Sequence, residues 1–284
     1  MHRQSLETNI SRVEHGILHD TSDRVALEEP LEIRLDYLDG NARIQKSLSI
    51  TMRTPGNDEE LAAGFLFTEG LLRFPEDVTG IAGCGPASGA HQGKNVVKVR
   101  LSDQARIIWP KLERHFYATS SCGVCGKASL DALEVQGLKP IPRDGFQISV
   151  KEISELPARL RSQQAVFDQT GGLHAAAIFS EAGQLIALRE DVGRHNAVDK
   201  LIGSQFLAGK TPLYKNMLFL SGRASFELVQ KAVVAGIPLI AAVGAPSSLA
   251  VELAKRFDVT LLGFVRDSRF NIYNGSWRLT GGEI

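Results

Sequence analysis

Two cysteines stand three positions apart in Cys122-Gly123-Val124-Cys125-Gly126, and only one of the 3 cysteines, Cys84, lies elsewhere. Thiolates are the soft nucleophiles and metal ligands of proteins. A C-x-x-C spacing lets two of them meet one atom or each other, and the glycines leave the loop free to move. The loop therefore points to sulfur chemistry, a redox couple or half of a metal site. A closed zinc site needs four ligands. Here one pair is present, Cys84 stands alone in another Gly-rich segment, and the His15/His19 pair belongs to the polar N-terminus. No structural metal is expected. A dithiol redox site expects C-x-x-C between a strand and a helix; a helix over Ala128 to Gln136 would fit, but Gly123 and Gly126 loosen the loop. An inert pair of small buried hydrophobes does not suit so polar a loop. A mobile thiolate that carries something suits it best.

Other groups could serve a ligand. Glu190-Asp191-Val192-Gly193-Arg194-His195-Asn196 packs ionisable side chains around one glycine before a helix. Asp191 or Asn196 could cap that helix, or Asp191 and His195 could move protons or orient a ligand. His174 stands at a strand start among alanines, which leave room for a ligand beside what is otherwise a structural histidine. Gly244-Ala245-Pro246-Ser247-Ser248 follows a strand and opens a helix, so it could accept a phosphate or simply supply an N-cap through Ser247 or Ser248. In Phe264-Val265-Arg266-Asp267-Ser268-Arg269 an aromatic and two arginines flank a turn, which could stack on a base and clamp phosphates or be a solvated strand end. Arg223 and Arg194 could add charge from neighbouring loops.

Positioning these groups requires a scaffold. Residues 1–22 are mostly polar and read as a flexible end. Alternation from Arg24 to Tyr37, the Asp39-Gly40-Asn41 turn signal and Ala42 to Met52 predict a hairpin. Asn57 then reads as the N-cap of a helix, with Glu60 at the capping-box position and Leu61, Phe65 and Leu72 on its apolar face. Residues 83–95 read as a loop and Val96 to Leu101 as a strand. These elements form a small α+β unit, residues 23–115. In residues 116–284, helices at Ala128–Gln136 and Val150–Gln163 precede paired strands at His174–Phe179 and Gln184–Leu188. Three αβ repeats follow: Asn196–Leu207 with Met217–Leu220, Ser225–Ala235 with Leu239–Val243, and Ser248–Phe257 with Thr260–Val265. This order implies a mainly parallel sheet with helices on both faces. Ligands of such sheets sit outside the carboxyl ends of the strands, which selects the loops at 221–223, 244–248 and 266–269.

Composition bounds the partners. The hydrophobic content of 43% and charged content of 23% are those of a globular chain. With 32 basic and 32 acidic residues, no global field holds nucleic acid or an anionic membrane. The sparse cysteines suit a reducing compartment. The uncharged run Ala232 to Val251 is long enough for a membrane span, but Gly236, Pro238, Gly244 and Pro246 break it into helix end, strand and helix start.

Together these segments resemble the FdhD family, sulfur carriers required for formate dehydrogenase activity. The pieces that carry the resemblance are the Cys122–Gly126 loop, Gly171-Gly172-Leu173-His174-Ala175-Ala176-Ala177, Glu190 through Lys200, Ser221-Gly222-Arg223-Ala224-Ser225-Phe226-Glu227, Leu262 through Arg266, and Pro55 through Gly70. They keep their order across most of the chain. The resemblance implies a cytidine-deaminase-like three-layer αβα domain with a mixed sheet, without the zinc-deaminase signature, since His174 is followed by alanines. It implies a cytoplasmic sulfurtransferase that takes sulfur from a cysteine desulfurase as a persulfide on Cys122, with Cys125 as its partner in the loop. The sulfur would go to the molybdenum or tungsten bis(molybdopterin guanine dinucleotide) before insertion into formate dehydrogenase, and a homodimer is expected. The implied cofactor-binding segment is Phe264, Val265, Arg266, Asp267, Ser268 and Arg269, with GDP as an analogue; relatives often carry Gly near the turn. His174, Arg223 and Ser247 are further candidates. A non-catalytic cofactor chaperone and a dithiol oxidoreductase remain the alternatives.

Overall fold

The computed structural model describes residues 4–88, 93–105, 137–267 and 269–282. Cys122, Cys125, Ser268 and the helix expected over Ala128–Gln136 lie outside the described residues.

The alternation read in the first hairpin places Leu31, Ile33, Leu35 and Tyr37 on one buried face of β3 (Glu29–Asp39). This strand pairs antiparallel with β4 (Ala42–Arg53) and parallel with β6 (Gly93–Leu101). The outer partner of β6 is β5 (Val78–Ser88), giving the order β4-β3-β6-β5. Residues 83–95 were expected to be a loop, but 83–88 complete β5 and 93–95 begin β6. Cross-strand pairing to β6 supplies the backbone bonds that local propensity does not. Cys84 lies on β5 opposite Val96, half-buried and unbonded. Where a flexible end was expected, β1 (Ser5–Glu14) and β2 (Ile17–Ala26) pair along their full length as a two-stranded ribbon.

Helix α1 (Asp58–Thr68) buries residues on nearly every side, because it lies between this sheet and the second unit. The expected capping box is absent. Asn57 sits at φ 57° and makes no side-chain cap, whereas capping needs extended backbone at that position. Glu60 grips Arg189 instead, through contacts of 2.5 and 2.7 Å.

The second unit follows the predicted rhythm. The short β7 (Ile148–Ser149) leads into α2 (Val150–Arg161) and α3 (Ala165–Thr170). Then come the antiparallel pair β8 (His174–Phe179) and β9 (Leu185–Asp191), α4 (Arg194–Leu207), β10 (Met217–Leu220), α5 (Phe226–Val234), β11 (Leu239–Ala242), α6 (Ser248–Arg256) and β12 (Thr260–Arg266). An antiparallel strand not anticipated, β13 (Arg269–Asn274), closes the edge, and β14 (Leu279–Thr280) pairs with β7. The six-stranded order is β13-β12-β11-β10-β8-β9; β10, β11 and β12 pair parallel, but the β10-β8, β8-β9 and β12-β13 pairings are antiparallel, so the sheet is mixed rather than mainly parallel.

Alternate residues of these strands feed two cores. Ala176, Ile178, Leu218, Leu220, Ile240 and Leu261 pack with α1, α4, α5 and α6. Ala177, Phe179, Met217, Phe219 and Leu239 pack with Ile153, Leu156 and Leu160 of α2. Burying each of the Leu, Ile, Phe and Met side chains among these contributes about 1.5–3 kcal/mol. The first core runs without a break into Leu31, Ile33, Val97 and Val99 of the small sheet. Its tightest point is the crossing of α1 and α4: a Cβ on Gly64 would lie 1.8 Å from the Asp199 carbonyl oxygen, and one on Gly203 1.9 Å from that of Glu60. Among the described residues, no helix is long and apolar enough to cross a membrane, and Ala232–Val251 divides as expected among α5, β11 and α6.

Candidate functional site

Strands β10, β11 and β12 end side by side, and β8, running the other way, begins at the same edge with His174. The loops after β10 and β11 continue the sheet beyond its regular strands. Gly244 N–H donates to the Gly222 carbonyl at 2.9 Å, Ala224 N–H to that of Ala245 at 3.2 Å, and Ser247 N–H to that of Ala224 at 3.0 Å. The glycines permit this contact. A Cβ on Gly244 would lie 2.9 Å from Arg223 Cγ, and one on Gly222 3.3 Å from His174 Nδ1.

Phe264 follows on β12. A bulge between Gly263 and Arg266 breaks the register with β13, and Phe264 takes φ 54° with its residue 40% exposed. A bulky residue held there costs of order 1–3 kcal/mol and persists only where its surroundings enforce it. Phe264 N–H donates to the Gly244 carbonyl at 3.2 Å. A side chain on Gly263 would strike Pro246 and Tyr273, each 2.9 Å away. Val265 is fully buried in the second core, so its side chain supports the segment from beneath. Arg266 and Arg269 stand opposite each other across the strand pair, and with Asp267 they are exposed. Arg266 Nη1 donates to the carbonyls of Val243 at 2.8 Å and Val265 at 3.0 Å, tying the ends of β11 and β12 together. Ser247 is the N-cap of α6, its Oγ accepting from Ala250 N–H at 3.3 Å. Of the two readings of that loop, the cap is the one observed.

The Glu190–Lys200 segment divides by role. Asp191 is 0% exposed. Its carboxylate accepts from Lys200 Nζ at 2.6 Å, Gly193 N–H at 2.8 Å, and Asn196 Nδ2 and Thr54 N–H at 3.2 Å each. Asn196 Nδ2 also donates to the Met52 carbonyl at 2.7 Å, and Lys200 to that of Thr54 at 2.7 Å. Asp191 is thus a joint between the two units, with every acceptor direction occupied, rather than a proton carrier. Glu190 accepts the Val166 and Phe167 N–H groups at the start of α3, and burial raises its pKa.

Arg194 and His195 face the edge instead. The His195 ring nitrogen Nε2 lies 3.5 Å from Ser225 Oγ and 3.8 Å from Glu227 Oε2. Burial, then the charges of Arg194 and Lys231, push its pKa down to about 4. Burial also lowers His174, with Arg194 adding to the effect and Asp191 opposing it. Both imidazoles are neutral near pH 7. Arg194, counted in the sequence only as extra charge, has a buried Nε with no hydrogen-bond partner; nothing in the spacing separated it from Arg223. Among the described residues, no group of three or more His, Cys, Asp or Glu side chains could hold a metal ion.

The fold is that of a mixed α/β protein, and beyond the carboxyl ends of its parallel strands, where ligands of such sheets sit, this edge carries an enforced aromatic and a set of cations. The FdhD/NarQ family model matches residues 26–280, and the chain belongs to that family. Proteins named sulfur carrier protein FdhD are similar along nearly the full length. The one from Streptomyces coelicolor is 49% identical over 281 residues, covering 98% of this chain and 97% of its own. That of Sulfolobus acidocaldarius is 41% identical over 276 residues, covering 97% and 99%. The crystal structure of a formate dehydrogenase accessory protein candidate from Desulfotalea psychrophila superposes with a TM-score of 0.74 at 26% identity, covering 98% of this chain and 100% of that one.

Proposed function

We propose that this protein is a sulfur carrier in formate dehydrogenase maturation, acting through a persulfide on Cys122. The observation that carries this reading is the near full-length similarity to relatives named sulfur carriers. In the first step, the Cys122 thiolate attacks the outer sulfur of a persulfide on a cysteine desulfurase. A new S–S bond forms on Cys122, and the desulfurase cysteine leaves as a thiolate. In the second, Cys125 attacks Cys122 Sγ. A Cys122–Cys125 disulfide forms, and the outer sulfur departs as hydrosulfide with the bonding electron pair. The dithiol supplies the two electrons, and the acceptor is the molybdenum or tungsten bis(molybdopterin guanine dinucleotide), held as substrate. The carrier is thus a sulfurtransferase, read as cytoplasmic and homodimeric, and its larger unit as a cytidine-deaminase-like αβα domain.

The nucleotide part of that substrate suits the carboxyl edge. Phe264 offers an exposed ring, and base–aromatic stacking contributes about 1–3 kcal/mol. Arg266 and Arg269 stand opposite each other, with Asp267 in the turn that joins them; like charges opposite each other are unfavourable between strands, and a bound phosphate would offset this.

The test is Cys122→Ala co-expressed with a formate dehydrogenase, together with the mass of the purified wild type after incubation with a desulfurase and cysteine. Loss of formate dehydrogenase activity, and one added sulfur on wild-type Cys122, are expected. Full activity with the variant would refute the carrier reading in favour of a chaperone. A Cys122–Cys125 disulfide without prior sulfur uptake would favour an oxidoreductase.

A further inference from the structure

Arg194 is the first residue of α4, and its backbone is fixed by the Asp191 joint on one side and the helix on the other. Its guanidinium Nε is buried and finds no acceptor. Leaving a buried donor of a charged group unpaired costs free energy, so an added acceptor would be stabilising at this point; Arg278 Nε is also unpaired, but its two Nη atoms are held by carbonyls. The surroundings of Arg194 say where that acceptor would lie. The charge of Arg194 lowers the pKa of His174 on β8, of His195 on α4 and of Glu227 in the first turn of α5. Those groups border the loop after β10, where Gly222 leaves the His174 ring uncovered. The N-cap residues of α4 and α5, Gly193 and Ser225, make no side-chain cap, unlike Ser247 at α6.

Two of the residues expected to hold phosphates are partly engaged. Ser247 Oγ is committed to the Ala250 N–H, and Arg266 Nη1 to two carbonyls. Asp191, three residues before Arg194, pairs with His174 at the start of β8, and His195 Nε2 lies 3.5 Å from Ser225 Oγ after β10, so the start of α4 adjoins the ends of both strands.

We propose that Arg194 is a phosphate-binding residue of the carboxyl edge beside Arg266 and Arg269: it takes the terminal phosphate of a guanine nucleotide whose base stacks on Phe264, so that the diphosphate runs toward β10 and β8 rather than toward α6. The identity of the ligand rests on the nucleotide reading given under Proposed function; the place of the phosphate rests on the surroundings of Arg194. The neutral His174 and His195 rings offer hydrogen bonds to the same anion. The guanidinium fork binds phosphate in a geometry that an ammonium does not reproduce.

Calorimetric titration of the full-length protein with GDP, guanosine and inorganic pyrophosphate tests this in wild type, Arg194→Gln, Arg194→Lys and Ser247→Ala. Arg194→Gln should weaken GDP and pyrophosphate by roughly ten-fold to a hundred-fold while leaving guanosine unchanged, and Arg194→Lys should recover only part of the loss. Thermal melts separate binding from folding: removing an unsatisfied cation should leave the melting temperature unchanged or higher. Wild-type GDP affinity in Arg194→Gln, with weakened binding in Ser247→Ala, would place the phosphates over α6 and overturn the proposal while the nucleotide reading survives. Equal loss of all three ligands with a lowered melting temperature would make Arg194 structural and also overturn it. Pyrophosphate binding lost in Arg194→Gln, with guanosine failing to bind wild type, would keep the anion site and reject the nucleotide.

Discussion

The cations at the centre of the molecule and those at its carboxyl edge have the same chemistry and opposite surroundings. Arg53, fully buried, meets both Asp58 oxygens at 2.9 Å and Asn95 at 3.0 Å. Lys200, 1% exposed, holds Asp191 at 2.6 Å. Lys231 bridges Asp199 at 2.9 Å and Glu69 at 3.3 Å; burial opposes its charge, but those two carboxylates outweigh it and raise its pKa. Each of these three cations has its counter-charge within the chain. At the edge, Arg194 Nε has no acceptor, and Arg266 uses backbone carbonyls and faces Arg269. With 32 basic and 32 acidic residues overall, such an edge is a local deficit of anion, not part of a general positive field. Lys200 and Lys231 tie the two units together through Thr54, Thr68 and Glu69, whereas the edge cations find no carboxylate partner of that kind among the described residues.

Two substitutions would break the central half of that comparison. The larger effect is expected from Gly203→Ala. Its methyl would enter the Glu60 carbonyl at 1.9 Å, where both partners are helix backbone and cannot rotate away. Forcing α1 and α4 apart should cost about 4 kcal/mol or more, read as loss of a cooperative urea transition or a large drop in its midpoint. A midpoint close to wild type would mean that the helices do not cross at Gly64 and Gly203. Next comes Lys200→Met, which leaves Asp191 buried and uncompensated. Removing one partner of such a pair costs about 3–5 kcal/mol, and Asp191→Asn in the same chain should restore part of it. A cost below about 1 kcal/mol would show that Asp191 does not need Lys200.

The two halves were unequally legible in sequence. The αβ rhythm, the edge loops and even the Met217–Leu220 strand follow from apolar runs between turn signals, because each parallel strand is buried on both faces. The ribbon Ser5–Ala26 was not legible: its strands are exposed along most of their length, and their apolar residues Val13, Ile17, Leu18 and Val25 enter no core. Asn57 showed the right residue at the right position, yet its left-handed backbone, following Gly56 at φ 109°, defeats the cap. Within the site, Phe264 and Arg266 were visible as residue types flanking a strand end. The difference between Asp191 and Arg194 was not, since both stand beside one glycine in the same motif. Only burial and partners, set by Thr54 and Lys200 far away in sequence, assign one to the joint and the other to the edge.

The smallest expected effect tests the edge half through its pH dependence. The folded-state pKa of His195 is about 4, against 6.5 for an ordinary histidine, through burial first and then Arg194 and Lys231. A depressed histidine binds fewer protons folded than unfolded, so it contributes stability that is fully present above about pH 6.5 and is lost as pH falls toward 4. His174, lowered by burial and Arg194, works in the same direction. Glu227 is lowered too: burial opposes it, but its hydrogen bonds and the His195 and Arg194 charges prevail, so its contribution is lost only at more acidic pH. The side chain of His195 is 38% exposed, and solvent screening keeps the effect modest. Urea unfolding between pH 7 and pH 5 should therefore show stability declining with acid in wild type and declining less steeply in His195→Gln, with His174 supplying the remaining slope. Adding Arg194→Gln should flatten it further, because that guanidinium lowers both imidazoles. Parallel pH profiles in wild type and His195→Gln would mean that the ring is not held neutral at the edge, and the contrast between satisfied centre and unsatisfied edge would lose its electrostatic support there.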